Sequence, residues 1–302
     1  MHRHAESDLD RLAAEVATAL GRLPGAVAVA EAGSRLARAG DTGSDIDLYV
    51  YAAESPPLAA RAALAAGFAA AAEIGNTAWE PGDEWIDARS GVTVDVIYRT
   101  PAWIAERLDR VLVRHEASLG YSTCFWHNVE HSRPLVDPDG WYRRLQASAA
   151  QPYPEPLKRA IVARNHPVLR QTVSSYRHQI EPAVRRDDPI SIQHRTTALL
   201  ASVFDILFAV NELPHPGEKR LLWHATERCA KLPTGFEDAV LALLGAATPP
   251  PSGATLGRVD ALLDGLDGLL ASEGLLPAEA ERGFDDAAGF SGPTHPATHG
   301  AS

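Results

Sequence analysis

The sequence predicts an α/β domain at the N-terminal end, a mixed sheet flanked by helices, followed by an all-α helical domain. Three observations predict it. Strand-like and helical stretches alternate over the first half of the chain, and every signal from Pro156 onward is helical. The third is scale: 302 residues, 45% hydrophobic and 22% charged, suit two ordinary folded domains. The expected domains are 1–150 and 151–282, and the stretch 283–302, rich in Gly, Ala, Pro and His, reads as a disordered tail.

Each element follows from a local pattern. Leu9, Leu12, Ala13, Val16, Ala19 and Leu20 recur at helical spacing behind Ser7, a suitable N-cap, and Pro24-Gly25 stops that helix. Residues 26–31 form a short strand and 46–51 a stronger one, with alternating apolar positions and high β propensity. The alanine-rich run 57–72 predicts a helix, 84–88 a strand and 92–98 a clear strand. After Pro101 an amphipathic helix is expected to about Ser118, then an edge strand over 125–136 before the Asp137-Pro-Asp-Gly turn. The second half predicts helices over 157–169, 171–184, 191–211, 218–230, 236–244 and 256–270, with a linker at Thr248-Pro-Pro-Pro-Ser-Gly.

Composition excludes several classes. Lys and Arg number 28 against 39 Asp and Glu, a net charge of −11, which does not suit a protein that neutralises a run of phosphates along a nucleic acid. Nucleic acid is therefore not favoured as a partner; the surface that would take it is Arg143-Arg144 with Lys158-Arg159, Arg164 and Arg170. Cys124 and Cys229 are far apart, supporting neither a disulfide framework nor a cysteine zinc site, and a reducing cytoplasm is the expected compartment. No apolar signal region opens the sequence. The longest apolar run, 197–210, is short and carries Asp205, so no membrane span is expected, and Asp205 is expected in a buried ion pair.

The chemistry concentrates in one constellation: Ala32-Gly33-Ser34, then ten residues, then Asp45-Ile46-Asp47-Leu48, and much later Val94-Asp95-Val96. Side chains two apart on a strand share a face, so Asp45 and Asp47 present both carboxylates together, with Asp95 opposite on an adjacent strand. Such a cluster repels itself without cations, and its hard oxygen donors suit Mg²⁺ bridging to substrate phosphates, which makes a magnesium nucleotide the natural ligand. Gly33 lets the backbone approach a phosphate, and Ser34 adds a hydroxyl and an N–H at an expected helix start. Two Mg²⁺ ions about 3.5–4 Å apart would activate an acceptor hydroxyl and offset charge on leaving pyrophosphate, with Asp95 as ligand and candidate catalytic base.

This pattern resembles the polymerase-beta-like nucleotidyltransferase superfamily, whose signature is an apolar residue, Gly-Ser or Gly-Gly, a spacer of this length, and Asp-apolar-Asp-apolar. The resemblance covers roughly residues 5–145. It implies that Asp45, Asp47 and Asp95 are metal ligands and that Gly33 and Ser34 bind the nucleotide; Ser44, next to Asp45, is a further nucleotide-binding candidate. The helical second half is similar in architecture to antibiotic nucleotidyltransferases such as the kanamycin and lincosamide enzymes. The expected reaction is transfer of a nucleoside monophosphate, AMP from ATP, to a hydroxyl of a small molecule, with an aminoglycoside-like acceptor as first expectation. The rival readings are a tRNA- or protein-modifying, toxin-like nucleotidyltransferase and a non-catalytic nucleotide-binding module.

Weaker signals surround this core. His215-Pro-Gly-Glu-Lys219-Arg220 opens an expected helix, so Lys219 is a nucleotide-binding residue that could reach a β- or γ-phosphate, with Arg35 and Arg38 as rival cations. Trp79-Glu80-Pro-Gly-Asp83-Glu84-Trp85 concentrates acids and indoles, which would suit a cationic, ring-bearing acceptor, with Glu80 or Glu84 as base. His127-Asn-Val-Glu130-His131 spells the His-x-x-Glu-His order of one zinc peptidase class, but an edge strand there would not bring the two histidines together.

Overall fold

The structure, a computed structural model, describes residues 2–33, 45–78, 80–247 and 253–276, with side chains from residue 8 onward. The chain divides into two compact units. The first is built from Met1–Arg164 and Phe204–Leu232, the second from Asn165–Val203 and the described residues from Pro233 on.

In chain order the first unit carries α1 (His2–Leu20), β1 (Ala26–Ala32), β2 (Ile46–Ala52), α2 (Leu58–Ala65), β3 (Ala69–Asn76), β4 (Gly82–Asp87), β5 (Thr93–Arg99), α3 (Pro101–Leu112), α4 (Cys124–His131), β6 (Arg133–Val136), α5 (Trp141–Ala149) and α6 (Glu155–Asn165). The strands make a six-stranded sheet in the order β3-β4-β5-β2-β1-β6. β2 and β5 run parallel and the other neighbours antiparallel, so the sheet is mixed, as expected. Alternation fixes what each face buries. Val29, Ile46, Leu48, Val50, Val94 and Val96 pack with Leu12, Val16 and Leu20 of α1. On the other face Ala28, Ala30 and Tyr51 pack with Ile104 and Leu108 of α3, Trp126 and Val129 of α4, Tyr142 of α5, and Leu157 and Ile161 of α6.

Several elements differ from the sequence expectation. The alanine-rich run is helical only to Ala65; residues from Ala69 become an edge strand paired with β4, because ladder bonds outweigh alanine's modest helix preference. The segment expected as an edge strand over 125–136 is helix α4 followed by a four-residue strand, and the helical period seats Trp126 and Val129 in the core. The helix after Pro101 ends at Leu112, not near Ser118. The Asp137 turn starts α5: the Asp137 carboxylate accepts from Tyr142 N and Arg143 N, both at 3.0 Å. Asp205 is buried, as expected, and its carboxylate accepts from Ser122 N (2.9 Å) and Ser122 Oγ (2.6 Å). Leu157, Ile161 and Ala209, from beyond residue 150, belong to the core under the sheet and fall in the first unit.

The second unit is helical. It holds α7 (Pro167–Arg170), α8 (Tyr176–Arg185) and the start of α9 (Pro189–Val210), whose end returns to the first unit, as does α10 (Leu221–Arg228). Its last helices are α11 (Phe236–Ala247) and α12 (Thr255–Ser272). α12 buries Val259, Leu262, Leu263, Leu266 and Leu270. Its acidic stripe is paired: Asp260 with Arg177, Asp264 with Arg170, and Asp267 with Arg170 and His166. Residues 248–252 of the expected linker and the whole expected tail lie outside the described residues. Among the described residues no helix is long and apolar enough to cross a membrane.

Candidate active site

Strand register assembles the acids. Ala32 lies opposite Asp47, Asp47 opposite Asp95, and Asp95 opposite Glu84, one row across four neighbouring strands. Each step is about 4.8 Å. The residues flanking the acids, Ile46, Leu48, Val94, Val96 and Trp85, are anchored in the core on the far face, which turns Asp47, Asp95 and Glu84 the other way. On that face Tyr51 is fully covered while Tyr49 and Asp47 are partly open. Asp45 stands exposed just before β2.

Gly33 ends the row at its tightest point. Its φ is +86°, and a Cβ there would collide with Asp47 Oδ2 and lie 2.8 Å from Asp47 Cγ. Only glycine combines that backbone with that approach. Ser34, Ser44, Arg35 and Arg38 lie outside the described residues.

The charges on the row are strained. Burial first, then the neighbouring Asp95, Asp45 and Glu31, push Asp47 up to about 6 against the relief given by Lys219. Asp95 is also raised, by burial, then Glu84 and Asp45, with Lys219 again opposing. Lys219 is thus a cation whose charge reaches both acids, and it shares a cavity wall with Asp47. It sits in an exposed turn whose base is held by His215: His215 N donates to Thr123 Oγ1 at 2.8 Å and Gly217 N donates to His215 Nδ1 at 3.1 Å. His215 is buried against the rings of Tyr121 and Phe208, and burial pushes it down to about 3.

Glu80 and Glu84 have different surroundings. Glu80 accepts from Arg99 Nε (2.8 Å) and Nη2 (2.6 Å), and that guanidinium lies over Tyr49 (4.2 Å), Trp103 (4.9 Å) and Phe125 (5.3 Å). Glu80 is committed to Arg99. Glu84 is exposed and is the largest charge acting on Asp95. Of the two indoles expected near them, Trp85 is buried in the core and Trp79 lies outside the described residues.

Beside Asp47 opens a cavity of about 260 Å³. Gly33, Asp47 and Tyr49 line it together with the turn Pro216–Arg220, and its remaining wall is His127, Asn128, His131, Ser132 and His224. Sequence reasoning placed Lys219 here and missed Asn128, Ser132 and His224; the four-residue spacing of His127 and His131 was the readable signal, obscured by the strand expectation. On α4 the two rings stack at 4.0 Å, nearly parallel. The helix thus restores the spacing a His-x-x-Glu-His site needs, but stacked rings do not converge on a point, and Glu130 is exposed on the next position. Among the described residues no three His, Cys, Asp or Glu side chains form a ready-made metal-binding group.

No protein-family model and no curated protein matches the chain. Among solved structures the chain is similar to a nucleotidyltransferase-like protein from Exiguobacterium sibiricum 255-15, at 12% identity and a TM-score of 0.40 over 89% of this chain and 75% of that one.

Proposed function

We propose that the chain is a metal-dependent nucleotidyltransferase that moves a nucleoside monophosphate, AMP from ATP, onto a hydroxyl of a small molecule. The observation that carries the reading is the row Asp47–Asp95–Glu84 with Gly33 pressed against Asp47 and the charge of Lys219 reaching Asp47 and Asp95. Crowded, partly buried carboxylates of raised pKa are a donor set that awaits cations, and oxygen donors of this kind fit Mg²⁺. Asp45, Asp47 and Asp95 would hold it, and the nucleotide's phosphates would complete the coordination, as is usual for Mg²⁺, which is rarely caged by protein alone. Bound there, magnesium would neutralise the triphosphate and favour displacement of pyrophosphate.

The protein's own groups divide the remaining work. Gly33 admits the phosphates close to the backbone, and Lys219 offsets charge on the departing pyrophosphate. The acceptor oxygen attacks the α-phosphorus, the bond to the bridging oxygen breaks, and the acceptor's proton passes to Asp95 or to the exposed Glu84 next to it. A small acceptor is favoured over a nucleic acid because four of the six candidate basic residues are already paired: Lys158 with Glu155 and Glu212, Arg159 with Glu155, Arg143 with Asp137, and Arg170 with Asp264 and Asp267.

The test is pyrophosphate release by the full chain with Mg²⁺, each nucleoside triphosphate in turn, and a pool of aminoglycosides, lincosamides and bulk tRNA, with products identified by mass. Release that depends on a small acceptor and is lost in Asp95→Asn is the expected result. Release only with tRNA would move the acceptor to a macromolecule, and nucleotide binding without release would make the chain a binding module.

A further inference from the structure

Resting on the reading of the site as a nucleotide pocket, we infer that the imidazole wall formed by His127, His131 and His224 is the subsite for the nucleobase. The cavity wall carries two chemically different sets of groups: Gly33, Asp47 and Lys219, suited to phosphate and metal, and the three imidazoles with Asn128 and Ser132. A nucleoside triphosphate has the same two chemistries, charged at one end and heteroaromatic at the other.

The imidazole set is built for a flat, uncharged ring. His127 stacks on His131 at 4.0 Å, and the His224 ring meets His127 edge-on at 6.5 Å. Burial, then the nearby His131, Arg228 and His224, push His127 down to about 2, so it presents a neutral aromatic surface at working pH. A second observation points to a ligand with polar edges: Asn128 Nδ2 is engaged by the Tyr49 hydroxyl at 3.3 Å, whereas Asn128 Oδ1 and His224 Nδ1 are buried without a partner. Buried polar atoms without partners are rare and call for one.

The lining separates the two substrates. The lining of this cavity of about 260 Å³ includes Asp47 of the acidic row and the imidazoles, the groups assigned to the nucleotide. Asp95 and Glu84 do not line it, which leaves the acceptor the open β5–β4 end of the row.

The experiment is equilibrium binding of magnesium ATP and of magnesium tripolyphosphate, which has no base, to the full chain as wild type, His127→Ala, His131→Ala and His127→Phe. The expected wild type binds ATP at least tenfold tighter than tripolyphosphate. Each alanine variant is expected to lose about tenfold in ATP affinity, from stacking alone, and to keep tripolyphosphate affinity; His127→Phe keeps both. Retained tripolyphosphate binding also reports that the variants fold. Equal wild-type affinities for the two ligands, alanine variants that bind ATP like wild type, or parallel loss of both ligands would overturn the base subsite while leaving the proposed chemistry standing. A wild type that binds neither ligand would instead remove the nucleotide reading itself.

Discussion

Asp47→Asn should make the protein more stable and inactive at once. In the fold Asp47 is pushed from an ordinary 3.8 to about 6 by burial and by its acidic neighbours. The rise of about two units means that the ionised carboxylate costs the native state up to about 3 kcal/mol at pH 7. Asparagine keeps the shape and removes the charge, so urea unfolding in EDTA at pH 7 should show the variant about 1–3 kcal/mol more stable. The sign follows from proton counting. Between pH 4 and 6 the folded wild type holds a proton that the unfolded chain has released, so its stability falls as pH rises through that window and the penalty is complete above 6. The gap between variant and wild type should therefore close on going down to pH 4. Magnesium ATP should reverse the order by stabilising wild type and not the variant. A variant equal to or less stable than wild type at pH 7, or a gap that persists unchanged at pH 4, would refute the claim that this carboxylate is held under electrostatic strain.

Two further predictions concern the scaffold. Arg61 and Asp83 form a buried pair, with Arg61 Nε and Nη2 at 2.9 and 2.5 Å from the Asp83 oxygens and the Tyr98 hydroxyl donating at 2.8 Å, so Arg61→Met strands a buried carboxylate and should cost about 3–5 kcal/mol in urea unfolding. The double variant Arg61→Met/Asp83→Leu should cost clearly less than the single one. His215 is held neutral well below the 6.5 of the unfolded chain. Its contribution is therefore complete above pH 6.5 and is lost as pH falls towards 3, at up to about 1.4 kcal/mol per unit, and His215→Gln should flatten that part of the stability–pH curve.

The site was legible where local pattern and register agree. The alternation in Ile46-Asp47-Leu48 and in Val94-Asp95-Val96 fixes which face each acid takes, and it needs only that the two strands be neighbours, which they are. Gly33 was legible as a place of close approach; that its neighbour is the Asp47 carboxylate required the fold. Glu80 and Glu84 look equivalent in the sequence and separate only through Arg99, whose aromatic surroundings come from three different segments. α4 was misread because short apolar runs fit both periods, and Trp126 and Val129 choose the helix through long-range packing against the sheet. β3 was misread for the opposite reason: alanine prefers a helix by less than the edge of a sheet can supply in hydrogen bonds. Ser34 and Ser44 lie outside the described residues, so of the proposed nucleotide-binding residues the structure describes Gly33 and Lys219.

The most direct test of nucleotidyl transfer is the fate of two labels. Full-length protein is incubated with Mg²⁺ and the acceptor found by pyrophosphate release, once with ATP labelled at the α-phosphorus and once at the γ-phosphorus. Attack at the α-phosphorus beside Asp47 and Asp95 predicts that the α label moves to the acceptor and the γ label leaves as pyrophosphate. A γ label on the acceptor, or both labels recovered in ADP and free phosphate, would contradict it.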